Sequence, residues 1–390
     1  MEKIKARHYR MNSDELKKNQ KRLTRKTISE ITRPSTIVKP LSTNLSVQNS
    51  PISNSSKIQH FIRNSPKSRQ SHSKTDSLTN SNQNTSRKTF SFDCAIRNYF
   101  HQSDNNIGRI LENRYKVVDK LGEGGFSKVY KVLVTDTQEY LALKISNKDF
   151  RAKRSAQNEI KLLSKYKGHN FIAQIKDEFV YEGSRCIVQE LYESNLYTIL
   201  SKTGHQGLPI RIIKQIARQI LSVLSLFSED DLCHADLKPE NILISNTQTM
   251  QIKVSDFGCG FYGKLTNPGY IQSRFYRAPE IILESSCDLS IDMWSLGCLL
   301  SELYTGEPLF SGHNTQDQLQ KIISFIGQPP AELLQHCPED LKKVSESFHQ
   351  HKALQTEIPI PLFSDFVSEC LKYTDRITPQ KALLHPWLNS

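Results

Sequence analysis

Alternation of apolar and polar positions becomes regular at Tyr115. "RYKVVDKLGEGGFSKVYKVLV" and "YLALKIS" set β-branched and aromatic residues at alternate places, with a glycine turn inside the first run, and predict neighbouring strands. "RSAQNEIKLLSKY" repeats its apolar residues at helical spacing and predicts an amphipathic helix. "RCIVQELY" reads as a buried strand, and from about Leu208 helical periodicity dominates. Strands first and helices afterwards predict an α+β architecture, a small β-rich lobe followed by a larger helical one. Residues 1–106 follow neither period. They are rich in Ser, Thr and Asn and contain no glycine. Such a stretch cannot bury enough apolar surface to offset the entropy of ordering, so disorder is expected. Within it, "NSDELKKNQKRLTRKTISEI" offers Ser13 as an N-cap for one marginal helix.

Charge sharpens this division. The net charge of +12 sits entirely in the first 106 residues, which carry 20 Lys and Arg against 7 Asp and Glu; the remainder carries 32 against 33. The cluster "KKNQKRLTRK" reads as a nuclear-import signal or anion-binding patch, or equally as a solvated tail. Contact with nucleic acid through this extension stays open, although its aromatics are too sparse for a stacking platform. No apolar run reaches the roughly 18 residues of a membrane span. The opening "MEKIKARHYR" has no apolar stretch behind it, so no secretory signal is expected. Eight scattered cysteines, without a C-x-x-C pair, suit reduced thiols and a cytoplasmic or nuclear location.

Candidate chemistry gathers in four short runs. "LGEGGFSKV" supplies Gly122, Gly124 and Gly125, whose bare backbone can approach phosphates; a tight hairpin explains them as well. Lys144 lies on the strand "LALKIS", where a solvated edge charge is the ordinary reading. Glu159, 15 residues later in the predicted helix, is a suitable partner to hold its ammonium for nucleotide phosphates. "HADLKPEN" sets Asp236 to take the proton of an attacking hydroxyl, Lys238 to neutralise a transferred phosphoryl group, and Asn241 to offer an oxygen to Mg²⁺. "VSDFG" follows, with Asp256 20 residues beyond Asp236 as a second oxygen ligand for a hard cation. Asp292 opens the apolar run "DMWSLGCLL".

Taken in order with "YRAPE" and "DRITPQKALLHPWL", these motifs make residues 115–388 resemble the eukaryotic protein-kinase domain. The resemblance implies a bilobal fold: an N-lobe over 115–189, a hinge over 190–194 and a C-lobe over 195–388. It implies Mg²⁺ and ATP as cofactors, proteins as substrates, and a Glu280–Arg376 ion pair. Leu121, Val129, Ala142 and Leu243 would wall the adenine, Gln189 would be the gatekeeper, and Glu190 to Tyr192 would present backbone groups to the base. "GEPLFSGHNTQDQLQKIISFIGQPP" resembles the insert of the CMGC group, and "YIQSRFYRAPE" and "NFIAQIKDEFVYEGSRCIVQELYESNLYTIL" resemble the dual-specificity tyrosine-regulated (DYRK) kinases. The segment before Tyr115 lacks a match to that family's homology box.

That likeness implies autophosphorylation at Tyr270, with Arg274 and Arg277 holding the phosphate. Arg277 also resembles the arginine that accompanies a preference for Pro after the target Ser or Thr. A packed aromatic is the plain alternative for Tyr270, and an inert buried thiol for Cys259. Ser50 and Ser65 each precede a proline and suit such an enzyme acting on its own tail. "HADLKPEN" departs from the usual motif by carrying Ala235 where the loop usually has Arg. Two functions stay in view: an active Ser/Thr kinase, or a pseudokinase scaffold on the same fold. Restoring Arg at position 235 is expected to change little.

Overall fold

The structure is a computed structural model, and it describes residues 104–335, 337–347 and 352–390. The expectations for residues 1–103, including the helix after Ser13, the basic cluster, Ser50 and Ser65, lie outside the described residues.

Strands β1 (Ile110–Leu111), β2 (Tyr115–Glu123), β3 (Ser127–Val134), β4 (Tyr140–Ser146), β5 (Ile175–Tyr181) and β6 (Ser184–Glu190) form one antiparallel sheet in the order β1-β2-β3-β4-β6-β5. Period two dictates its faces. Tyr115 and Val117, Tyr130, Val132 and Val134, Leu141, Leu143 and Ile145, and Cys186 and Val188 send buried side chains to one face and make a separate small core. The residues between them turn to the other face. There Lys144 pairs in register with Val129 and Ile187, and Ala142 with Gln189. Helix α1 (Phe150–Lys165) is capped by the Asp149 carboxylate on the Ala152 N–H. It buries Ala156, Glu159, Ile160, Leu162 and Leu163.

The sheet takes in residues upstream of Tyr115, where the regular hydrophobic alternation starts. The Tyr130 hydroxyl donates to Asp104 at 3.1 Å and accepts from Asn106 Nδ2 at 3.0 Å, and β1 pairs with β2. These contacts are polar groups clasping one buried tyrosine, and they leave no apolar period to read.

The second lobe is helical, as expected. After β7 (Ser194–Asn195) and α2 (Leu196–Lys202), helix α3 (Ile210–Glu229) packs beneath the cleft. Helix α4 (Pro279–Ile282) leads to α5 (Ser290–Thr305), buried from Ile291 to Leu303 on all sides. A helix apolar all round belongs in a core, and α5 is the post on which this lobe is built. Gly306 ends it at φ +88°, where an added Cβ would overlap the His205 carbonyl. Short strands that the helical periodicity concealed flank Asp236 and Asp256: β8 (Leu232–Cys233), β9 (Ile242–Asn246), β10 (Gln251–Val254) and β11 (Phe261–Tyr262). They pair as β10-β9-β7 and β11-β8. Two to five residues are too few for a period to show.

Candidate active site

Lys144, Glu159 and Asp256 meet at the inner face of the sheet. Lys144 Nζ lies 2.7 Å from Glu159 Oε2 and 2.9 Å from Asp256 Oδ1. Burial works against the charge on Lys144, but the two carboxylates outweigh it and hold the ammonium protonated. Burial also acts to raise Asp256, yet Lys144 and Lys238 keep its carboxyl below the ordinary range. Glu159, enclosed, is pushed up by burial. Asp256 adopts φ +65°, a left-handed conformation that costs a non-glycine residue strain and recurs at functional sites. Phe257 next to it is fully buried against Phe227 and His234. Gly258 lies close under α1: an added Cβ would sit 2.1 Å from Ser155 Oγ, which would have to turn away.

The loop between β8 and β9 gathers the second group. Asp236 Oδ2 accepts from Lys238 Nζ at 2.6 Å and from Asn241 Nδ2 at 3.0 Å. Asn241 Nδ2 also reaches the Asp236 carbonyl at 2.8 Å. These bonds fix which end of the Asn241 amide faces Asp236 and turn its oxygen the other way, so Asn241 and Asp256 fit a hard cation. Asp236 Oδ1 accepts from the N–H and hydroxyl of Ser273 at 3.1 and 2.8 Å. The loop hangs from α5: Asp292 accepts the N–H groups of His234 at 2.6 Å and Ala235 at 2.9 Å. Those two bonds hold Ala235 at φ +62°. Ala235 is 0 % exposed, so an Arg there would have to displace its neighbours.

A cavity of about 500 Å³ opens between the glycine turn and these groups, with Gly124, Gly125, Lys144, Glu159, Asp236 and Asp256 on its wall. Leu121, Gly122, Val129, Ala142, Tyr192 and Leu243 remain partly or fully exposed. Gln189 is buried and donates to Glu159 at 3.5 Å. The Glu190 N–H is taken by the Gln174 carbonyl at 3.1 Å, so Glu190 offers no N–H to a base. Tyr192 anchors the hinge, its hydroxyl accepting from Gln174 N–H at 2.9 Å and donating to Glu190 at 3.1 Å. The Cys259 thiol is pushed up to about 12 by burial, which favours the inert reading.

Tyr270 is 73 % exposed, so the packed-aromatic alternative falls. The Arg277 guanidinium lies 3.7 Å from its ring centre, and Arg277, with Arg274 behind it, draws the phenol below its ordinary pKa. Arg277 itself is buried and donates to the carbonyls of Ile271 and Gln272 at 2.9 and 2.7 Å. Arg274 reaches the His313 carbonyl at 2.6 Å. Further along, Arg376 pairs with Glu280 through two bonds, at 2.5 and 2.7 Å. Sequence reasoning missed Ser273, Gln272 and Asn158. Ser and Gln in an irregular segment leave no period, and Asn158 gains meaning only from what faces the helix.

The protein kinase domain family matches residues 115–388. The chain is 38 % identical over 311 residues to the DYRK-family kinase pom1 of Schizosaccharomyces pombe, covering 72 % of this chain and 28 % of that protein. It is 36 % identical over 301 residues to human dual specificity tyrosine-phosphorylation-regulated kinase 4, covering 71 % and 58 %. To the Caenorhabditis elegans kinase mbk-2 it is 33 % identical over 315 residues, covering 70 % and 39 %. It thus spans less than two thirds of the length of these relatives. With the paired lysine, the carboxylate loop and the left-handed Asp256 all in one cleft, the chain belongs to the protein kinase family and is DYRK-like within its CMGC group.

Proposed function

We propose that this chain is a Ser/Thr protein kinase that uses Mg²⁺ and ATP, prefers Pro after the target residue, and phosphorylates its own Tyr270. The observation that carries the reading is the convergence of the Lys144–Glu159–Asp256 cluster and the Asp236–Lys238–Asn241 group on one cleft. Lys144 would meet the α- and β-phosphates, and Gly122, Gly124 and Gly125 would cover them. Asp236 accepts the proton of the substrate hydroxyl, and Lys238 faces the charge that builds up on the transferred group. Bound Mg²⁺, held by Asp256 and Asn241, would supply charge neutralisation at the phosphates. Catalysis here is mostly positioning and electrostatics.

The proline preference has a backbone cause. Gln272 is left-handed at φ +61°, and its carbonyl is turned onto Arg277 Nη2 at 2.7 Å. A carbonyl so occupied is not offered to the N–H of a substrate's next residue. Proline has no N–H to leave unsatisfied, so it alone loses nothing. The buried Gln272 amide holds the kink, accepting from Ala278 N–H at 2.9 Å and donating to Ser295 at 2.9 Å. The cytoplasmic or nuclear placement read from the cysteines accompanies this proposal.

Incubation with Mg²⁺–ATP and a peptide library, read by mass spectrometry, tests all three parts. Ser/Thr-Pro peptides should be favoured about tenfold over their Ala counterparts, and Tyr270 should carry phosphate. Asp236→Asn should lower transfer on the order of 10³-fold or more. Nucleotide binding without transfer to any peptide would establish the scaffold reading instead.

A further inference from the structure

We propose that Asn158 is a positioning residue that latches helix α1 to the turn carrying Asp256, and so sets how often the nucleotide site is assembled. The idea rests on the kinase reading above. Asn158 Nδ2 lies 2.7 Å from the Gly260 carbonyl, 3.2 Å from that of Phe257 and 3.5 Å from that of Gly258. All three neighbours are acceptors, so only the nitrogen end of the amide can face them.

Asn158 directly precedes Glu159 on the helix. Any rotation or shift of α1 that withdraws Glu159 from Lys144 must also pull Asn158 off those carbonyls. One turn earlier the Ser155 hydroxyl lies close against Gly258. At the far end of α1, Tyr166 donates to Asp230 at 2.6 Å and Lys165 pairs with the same carboxylate at 3.0 Å. The middle and the end of the helix are thus both tied to the large lobe. Ala235 has no donor with which to couple the catalytic loop to the activation segment. In this chain α1 is bonded straight to the Asp256 turn.

A latch of this kind acts on a population. Without it, the assembled state becomes a smaller fraction, and nucleotide affinity falls by that fraction, while saturating nucleotide recaptures the assembled form. Asn158→Asp keeps the size but replaces the donor by an acceptor, and Asn158→Leu removes both. In the full chain, each should raise the KM for Mg²⁺–ATP about tenfold, the equilibrium worth of one or two hydrogen bonds. Each should leave kcat at saturating ATP within about twofold. Hydrogen exchange of the backbone amides of residues 257–263 should quicken in both variants, with α3 and α5 unchanged.

Unchanged KM together with unchanged exchange would overturn the latch. So would a fall in kcat at constant KM with faster exchange throughout the large lobe, which is the mark of plain destabilisation. If the unsubstituted chain transfers no phosphoryl group, the kinase reading fails, and the exchange measurement alone still decides whether Asn158 holds the turn.

Discussion

Lys144 and Arg376 each meet a buried glutamate, Glu159 in the cleft and Glu280 beneath the activation segment. The two pairs are built differently. Arg376 and Glu280 form a matched fork, two parallel bonds with side chains only 2 % and 7 % exposed, and Arg376 Nε is taken by the Lys372 carbonyl at 2.7 Å. Its guanidinium also lies over Trp294 of α5. Every strong group is matched, so nothing is left for a ligand. Lys144 instead sits between two carboxylates at a cavity wall, and Asp256 keeps 41 % of its side chain accessible. The excess negative charge there is an invitation to a cation. A matched pair holds a fold together, whereas an unmatched one at an opening is poised for chemistry.

Substitutions should separate the two. Lys144→Met should reduce phosphoryl transfer on the order of 10³-fold or more while moving the unfolding midpoint little, since Glu159 can take up a proton. Glu280→Ala should do the reverse. Leaving Arg376 buried and unpaired costs about 3 kcal/mol, which thermal or urea unfolding would register before any loss specific to ATP. A Lys144→Met protein that unfolds as readily as Glu280→Ala would erase the distinction.

A third buried carboxylate sharpens the contrast through pH. Glu302 on α5 is pushed up to about 7 by burial, against the bond it accepts from Tyr276 at 2.6 Å. Its folded value lies above its unfolded one, so the folded state binds the extra proton between them. Stability from this site is present below the unfolded pKa and is lost as pH rises through about 7. Glu302→Gln should keep the bond from Tyr276 and flatten the dependence, an effect of about 2 kcal/mol between pH 5 and pH 8. The check is the unfolding midpoint at those two pH values. An equal slope in both proteins would remove Glu302 from the account.

Much of the candidate site could be read along the chain because the proposed phosphoryl transfer needs particular groups at short, fixed spacings. Asp236, Lys238 and Asn241 lie on one turn, and Gly122 to Gly125 on another. Charge counting separated the basic extension from the rest, and period two assigned β2, β3 and β4 correctly. Contacts between irregular segments were illegible. Ser273 reaches Asp236 across 37 positions, and Asn158 reaches Gly260 across 102. Asp104 is tied to the sheet by the Tyr130 hydroxyl and the ammonium groups of Lys120 and Lys128.

By itself, then, the sequence determined the order of lobes, the candidate catalytic set and the family likeness, because local pattern and residue chemistry are written in neighbouring positions. Only the tertiary structure decided that Ala235 is enclosed in a left-handed turn held by Asp292, that Gln272 turns its carbonyl onto Arg277, and that Asn158 bonds the Asp256 turn. Each depends on backbone groups brought together from distant parts of the chain, and a backbone group carries no signature in the identity of its residue.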